Sequence, residues 1–327
     1  MEIIHDTTEF QLKKQTAVAI GKFDGLHRGH QELLSHILRQ KEEGLLAVVF
    51  TFHPSAAVFF GQSSSEELTT RQEKRKLFEK MGIDVLIEFP LNRETAATDP
   101  EGFVRKYLAG QMRTSYLAAG EDITFGRKGE GNRKLLEKLS ESFGYQFQVI
   151  EKMREGSREI SSTYVREEVE KGHMETAERL LGRYYSFEGK VEEGRKLGRR
   201  LGMPTLNLYP PKEKLLPPKG VYYSAVCTEQ GRYPGITNIG RKPTVNDTDM
   251  VSVETYLYDF EGDMYGQEIV TELLQFKRPE QKFRDVAELK RQMEADIEAG
   301  RAFHGVDRKP PGQVDNSTSP RSRSTKT

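Results

Sequence analysis

The segment Gly21-Lys-Phe-Asp-Gly-Leu-His-Arg-Gly-His30 places two histidines three residues apart in a glycine-rich window. An apolar run at 17–20 precedes it, and Leu33, Leu34, Ile37 and Leu38 follow at the spacing of a helix that runs to residue 40. The window therefore predicts a strand, a tight turn and a helix N-terminus. Backbone N–H groups and the positive end of the helix dipole attract anions at such a corner, and two imidazoles add donors for a phosphate gaining charge. This chemistry suits a nucleoside triphosphate; the competing reading of His27 and His30 is a surface turn. His36 lies near the apolar stripe and reads as a half-buried helix residue.

A second group of residues with chemical potential spans 194–207. Gly194, Gly198 and Gly202, with four basic side chains between them, lead into Pro204-Thr205-Leu-Asn207. In an extended stretch Thr205 and Asn207 point to one side. Their hydroxyl and amide oxygens are hard ligands, suited to a magnesium ion that keeps several waters and bridges phosphates. A basic turn before a strand is the alternative. No Gly-x-x-x-x-Gly-Lys-Ser/Thr loop occurs, which excludes a P-loop enzyme. Between His173 and His304 there is no histidine, so a base in this half is most simply a carboxylate.

Three further stretches stay open between binding and structure. His53 precedes Pro54 at a strand end, as a turn residue or a ligand. Residues 127–131 are a basic, glycine-rich loop, either over phosphates or solvated. Ser161, Ser162 and Arg166 stand at a helix start, where they could bond phosphate oxygens or form an ordinary N-cap.

The elements that position these groups fall into two rhythms. Apolar strands at 17–20, 45–50, 85–89, 116–119 and 147–150 alternate with helical segments, the pattern of a parallel sheet covered on both faces. Thr70, Asp99 with Pro100, and Asn132 are N-caps, and Gly82 and Gly144 are stops. After a helix near 175–181 and Gly182, short β-like runs broken by Gly and Pro occupy 186–276, with Glu261-Gly262 as a hairpin turn after the strand at 251–260. A helix at 285–299 carries Val286, Leu289, Met293 and Ile297 as one stripe. A small closed barrel or sandwich with a C-terminal helix satisfies this second half. The expected domains are 1–182 and 183–304, followed by a disordered tail at 305–327 that is rich in Pro, Ser, Thr and basic residues.

Composition narrows the class. The 327 residues balance 50 Lys plus Arg against 50 Asp plus Glu, so no global charge draws the chain to nucleic acid or membrane. A single cysteine, Cys227, rules out an intrachain disulfide and reads as a small packed strand residue. The N-terminus lacks a basic and apolar leader, and no apolar run reaches membrane-spanning length. A soluble cytoplasmic protein is expected, with its oligomeric state open.

Gly21-x-Phe23-Asp24-Gly-x-His27-x-Gly29-His30 resembles the FAD-synthetase branch of the nucleotidyltransferase superfamily, and Ile160-Ser161-Ser162-Thr-x-x-Arg166 carries the resemblance to the end of that half. Gly202-x-Pro204-Thr205-x-Asn207, Gly220-Val-Tyr222, Asn238-Ile-Gly-x-Lys-Pro-Thr244 and Val253-Glu254-x-x-Leu-x-Asp259-Phe260 resemble riboflavin kinase. Residues 1 to about 303 are thus similar to the prokaryotic bifunctional riboflavin kinase/FAD synthetase family. The resemblance implies a Rossmann-like α/β nucleotidyltransferase domain, with a parallel sheet, followed by an all-β kinase barrel with a C-terminal helix. It implies phosphorylation of riboflavin to FMN and adenylylation of FMN to FAD, with ATP as co-substrate and Mg²⁺ as cofactor.

Roles follow from the same resemblance. His27 and His30 steady the α-phosphate, while Gly21, Phe23, Asp24, Gly29, Ser161, Ser162 and Arg166 hold or shape the triphosphate site. Gly198 and Gly202 serve the kinase nucleotide, Thr205 and Asn207 the metal, and Glu254 takes the ribityl hydroxyl proton. Asp122 and Arg278 face flavin. Ser55-Ala56, Ile123, Met203 and Leu206 depart from the usual family residues. Two rival readings are a kinase with a degenerate adenylyltransferase domain and a flavin-binding regulator without turnover.

Overall fold

The computed structural model describes residues 1–61, 66–194, 198, 201–242 and 250–307. Its first sheet contains β1 (Glu2–His5), β2 (Thr16–Ile20), β3 (Leu46–His53), β4 (Val85–Pro90), β5 (Thr114–Gly120) and, after a short hairpin of β6 (Thr124–Phe125) and β7 (Gly131–Asn132), β8 (Gln146–Ile150). The order is β1-β4-β3-β2-β5-β8 and every pairing is parallel. Central strands are buried on both faces. Val18, Ile20, Val48 and Phe50 enter one apolar cluster, while Ala17, Ala19, Ala47 and Val49 enter the other. The five expected strands are all present, and β1 is an addition at the sheet edge.

Local signals set the helices. In α1 (Arg28–Arg39) the N-cap is His27; after the short α2 (Ala56–Phe59), α3 (Arg71–Met81) opens with a reciprocal Thr70/Glu73 capping box and ends at left-handed Gly82. Asp99 and Pro100 open α4 (Pro100–Phe103), which continues as a π-helix, Val104–Gln111. Asn132 caps α5 (Arg133–Phe143) and Gly144 ends it. A small hairpin, β9 (Arg154–Glu155) and β10 (Arg158–Glu159), precedes α6 (Ser162–Lys171) and α7 (Met174–Leu181).

The strands of the second sheet are β11 (Tyr185–Lys190), β12 (Thr205–Leu208), β13 (Gly220–Thr228), β14 (Gly231–Lys242), β15 (Met250–Leu257) and β16 (Glu268–Pro279), in the order β11-β16-β13-β14-β15-β12. Within this order the β13–β14, β14–β15 and β12–β15 pairs are antiparallel. Just past β11, Glu192 N donates to Asn207 O of β12 at 2.9 Å and brings the two ends of this order together. Inside the sheet, Thr237 bonds both Ser224 and Thr255, so three buried hydroxyls satisfy one another.

The expected hairpin at Glu261-Gly262 is corrected. β15 already pairs with β14 on one side and β12 on the other, so β16 lies elsewhere in the sheet. The C-terminal helix α8 (Val286–His304) is longer than expected, and its apolar stripe is only part of its packed face. Val286 is 59% exposed, whereas Asp296 and Gly300 are buried. Asp296 is tolerated there because Lys277 Nζ and the Arg278 guanidinium neutralise it. Gly305 caps α8 in a left-handed conformation and Val306 packs against the Val221, Ile236 and Tyr258 cluster; residues 308–327 of the expected tail lie outside the described residues.

Compactness divides the chain into two units. One comprises Met1–Glu188, Pro210–Pro218 and Leu274–Phe276; the other comprises Gly189–Tyr209, Lys219–Leu273 and the described residues from 277 onward.

Candidate active sites

The β2–α1 turn is compressed, with positive φ at Phe23 (52°), Gly25 (77°) and Leu26 (43°). Surrounding contacts hold this unusual backbone. Phe23 is buried, edge-on to Phe78 and 5.2 Å from the His30 ring. Asp24 Oδ1 accepts the Leu68 and Thr69 N–H groups, and its Oδ2 pairs with Arg166 at 3.1 Å. Ser162 Oγ donates to Asp24 O, and Arg183 donates to Gly25 O. The turn is thus clamped by the chain before α3, by α6, and by the residue after Gly182.

His27 and His30 stack at 3.7 Å. His27 Nδ1 accepts the His30 backbone N–H at 3.4 Å, which assigns the His27 ring proton to Nε2. Burial, and secondarily Arg183, pushes His27 down to about 4; burial, with His27 and Lys74 assisting, holds His30 well below its ordinary value. Both rings are neutral near pH 7 and offer N–H dipoles rather than full charges. His30 Nδ1 and Arg166 Nη1 are buried without a hydrogen-bond partner. One orphaned atom belongs to the first turn of α1 and the other to the α6 arginine that is bonded to Asp24 of the same turn.

Other expected members are distributed unevenly. Gly21 tolerates no side chain without meeting the Phe23 ring at 3.0 Å, and a Cβ on Gly29 would lie 3.3 Å from the His27 ring. Ser161 Oγ is engaged as the α6 N-cap, so Ser162 and Arg166 make the direct links to the turn. Asp122 is 72% exposed and pairs with Lys152. The 127–131 loop is a 3₁₀ turn leading into β7, with Arg127 bonded to Glu130. His53 ends β3 opposite Pro90, with its pKa lowered chiefly by burial. Ser55 caps α2, and Ile123 packs against the core, which accounts locally for two of the departures.

In the second sheet, β12 pairs with β15 so that Asn207 faces Glu254 and Thr205 faces Tyr256. Direct partners in an antiparallel ladder share a face, and alternate residues return to it, so Thr205, Asn207 and Glu254 lie together. Glu254 also faces Asn238 of β14, and Ser252 Oγ donates to Glu254 Oε1 at 3.2 Å. Asn207 is buried, and its Nδ2 donates to Thr205 O. A cavity beside it is lined by Gly194, Pro204, Thr205, Asn207, Gly262 and Asp263. Gly198 O accepts from Leu201 and Met203 N–H groups, and Gly202 is left-handed at φ 83°, forming the approach to β12. The four basic residues of this approach, and Pro243 and Thr244, lie outside the described residues.

Residues 9–164 match the FAD synthetase family model and 181–304 the riboflavin kinase model. A bifunctional riboflavin kinase/FMN adenylyltransferase of Haemophilus influenzae is 35% identical across 88% of this chain and 94% of its own length. The protein of the same description from Bacillus subtilis is 34% identical across 90% and 96%. The chain belongs to the bifunctional riboflavin kinase/FMN adenylyltransferase family. A crystal structure of a Streptococcus pneumoniae protein described as a macrolide-efflux protein superposes with a TM-score of 0.81 and 25% identity, covering 92% of this chain and 99% of that one. Among the described residues no helix is long and apolar enough to cross a membrane.

Within this family framework the compact unit that holds the β2–α1 turn contains two residues that sequence reading missed. Arg183 is buried, pushed down to about 10 by that burial, and ties Gly25, Leu26 and Leu181 carbonyls together. Lys214 is buried against Glu73 and Leu68 O. Neither stands in a recognisable motif; the only sequence signal is a basic residue close to a turn or between prolines. In the kinase half, Arg278 is committed to Asp296 and to Pro279 O, so its guanidinium is anchored to α8.

Proposed function

We propose that this chain makes FAD in two steps, phosphorylating riboflavin in the antiparallel sheet and adenylylating FMN at the β2–α1 turn. The observation that carries the reading is that one chain holds two separate polar arrangements, one built on stacked imidazoles and the other on an Asn207/Glu254 pair. In the first step the ribityl hydroxyl oxygen attacks the γ-phosphorus of ATP, Glu254 accepts the hydroxyl proton, and ADP leaves. Thr205 and Asn207 would provide oxygens for Mg²⁺, and Gly194 leaves the room: a Cβ there would sit 2.5 Å from Asn207 Oδ1. When bound, the ion offsets phosphate charge.

In the second step an FMN phosphate oxygen attacks the α-phosphorus of ATP, and the bond to the bridging oxygen breaks as pyrophosphate departs. The His27 Nε2–H and the His30 ring lie where charge develops, and Arg166 Nη1 is the third donor. Gly21, Phe23, Asp24 and Gly29 shape this turn, and Ser161 and Ser162 set the position of Arg166. The neutral state of both rings favours donation of hydrogen bonds over general acid catalysis. Asp122, beyond β5, and the Arg278 segment are the flavin-side residues of this reading. Riboflavin, FMN and ATP are its partners, with a cytoplasmic setting and no part for nucleic acid or membrane.

The test incubates the protein with Mg-ATP and either riboflavin or FMN, followed by chromatography of flavins and nucleotides. FMN with ADP from riboflavin, and FAD with pyrophosphate from FMN, are the expected products. FMN alone would restrict the chain to kinase activity, and unchanged flavin co-eluting with protein would make it a binder.

A further inference from the structure

Lys214 lies between β12 and β13, far in sequence from the β2–α1 turn, yet it belongs to the same compact unit as that turn. Its side chain is 2% exposed. The ammonium donates to Leu68 O at 2.9 Å and Glu73 Oε2 at 2.8 Å, and sits 4.5 Å from the centre of the Tyr185 ring. The adjoining backbone is also docked: Glu67 N donates to Glu213 O, Leu215 N to Glu67 O, and Tyr185 Oη to Leu215 O.

What Lys214 grips is the segment that grips the catalytic turn. Leu68 accepts from Lys214 through its carbonyl and donates to Asp24 Oδ1 through its N–H. Thr69 continues the contact, its Oγ1 accepting Gly25 N–H. Asp24 in turn fixes Arg166, which also donates to Glu66 O and keeps Nη1 unpaired. A buried ammonium pays a desolvation penalty that an apolar side chain of similar length would avoid. Burial indeed lowers the Lys214 pKa, with Glu73 opposing the change.

We propose that Lys214 is a positioning residue for adenylyl transfer: by fixing the 66–70 segment it sets the Asp24 carboxylate and the Arg166 guanidinium that meet ATP. The proposal rests on the assignment of adenylyl transfer to this turn. Its consequence is that a residue outside the FAD synthetase match at 9–164, and inside the riboflavin kinase match at 181–304, tunes the first of those sites.

The experiment compares the full chain with Lys214→Met and with Lys214→Met/Glu73→Gln, the second removing both charges of the Lys214–Glu73 pair. The KM for ATP in FAD formation should rise about tenfold in both, with kcat changed less than about threefold and riboflavin phosphorylation within about twofold of the parent. Amide exchange should accelerate at 24–30 and 66–70. Calorimetric titration with α,β-methylene-ATP should weaken the binding event that Arg166→Ala also weakens. Unchanged ATP affinity and exchange, or equal loss of both reactions, would overturn the positioning role. A parent chain that shows this binding event but makes no FAD would instead overturn the adenylyl-transfer assignment, leaving the Lys214 coupling to be judged by binding and exchange.

Discussion

Asn207 and Glu254 face each other directly across the β12–β15 ladder, so an amide and a carboxylate rise from one face of the sheet. Glu254→Gln retains the shape but removes the proposed proton acceptor. Riboflavin phosphorylation should fall about 10²-fold or more in kcat, while FAD formation from supplied FMN stays within about twofold. Parallel assays of the two reactions check this, and loss of both in folded protein would contradict separate sites.

The stacked imidazoles predict the reverse pattern. On the proposed assignment, His30→Ala removes a donor from the adenylyl-transfer site, and should reduce FAD formation about 10²- to 10³-fold. FMN formation from riboflavin should persist. A variant with normal FAD synthesis would remove His30 from the chemistry.

His27 also makes stability depend on pH. Its folded pKa is pushed down to about 4 from 6.5, so between those values the unfolded chain binds a proton that the folded chain refuses. Stability is therefore fully present above about pH 6.5 and is lost as pH falls toward 4, by up to about 3 kcal/mol from this group alone. His30 contributes in the same direction. His27→Asn keeps a good N-cap and removes the titration. Its Tm should fall less than that of the parent between pH 7 and 4.5; parallel declines would contradict the assignment.

Gly300 lies against Tyr258, whose hydroxyl donates to Ile297 O, and an added Cβ would stand 1.9 Å from Tyr258 Oη. Gly300→Ala should destabilise the kinase half by about 1–3 kcal/mol through overpacking. Tyr258→Phe in the same chain should recover part of that loss, read by denaturant unfolding. No loss in the single variant would mean that α8 adjusts freely.

The features legible in sequence were those whose signals are local. The β2 run, the glycine turn, the α1 stripe and the caps at Thr70, Asp99 and Asn132 each depend on neighbours within a few residues. Thr205 and Asn207 were likewise readable from strand alternation, although only the register shows Asn207 opposite Glu254. β1 escaped because four largely exposed edge residues carry no periodic apolar signal. Lys214 and Asp296 escaped for another reason: each is a buried charge whose partner lies on another element, 141 residues away for Lys214 and 18 for Asp296, and composition gives no indication of such compensation. The β15-to-β16 excursion is also nonlocal, since Glu261-Gly262 has ordinary turn chemistry whichever strands it joins.

Asn207 meets Glu192 through its own carbonyl, whereas its amide side chain is turned to other partners. Ring closure and the proposed ligand chemistry therefore fall to different atoms of one amino acid. Exchange of that amide for an isosteric leucine leaves the peptide link between the barrel's ends intact, so position 207 can be interrogated for phosphate transfer while the scaffold remains shut.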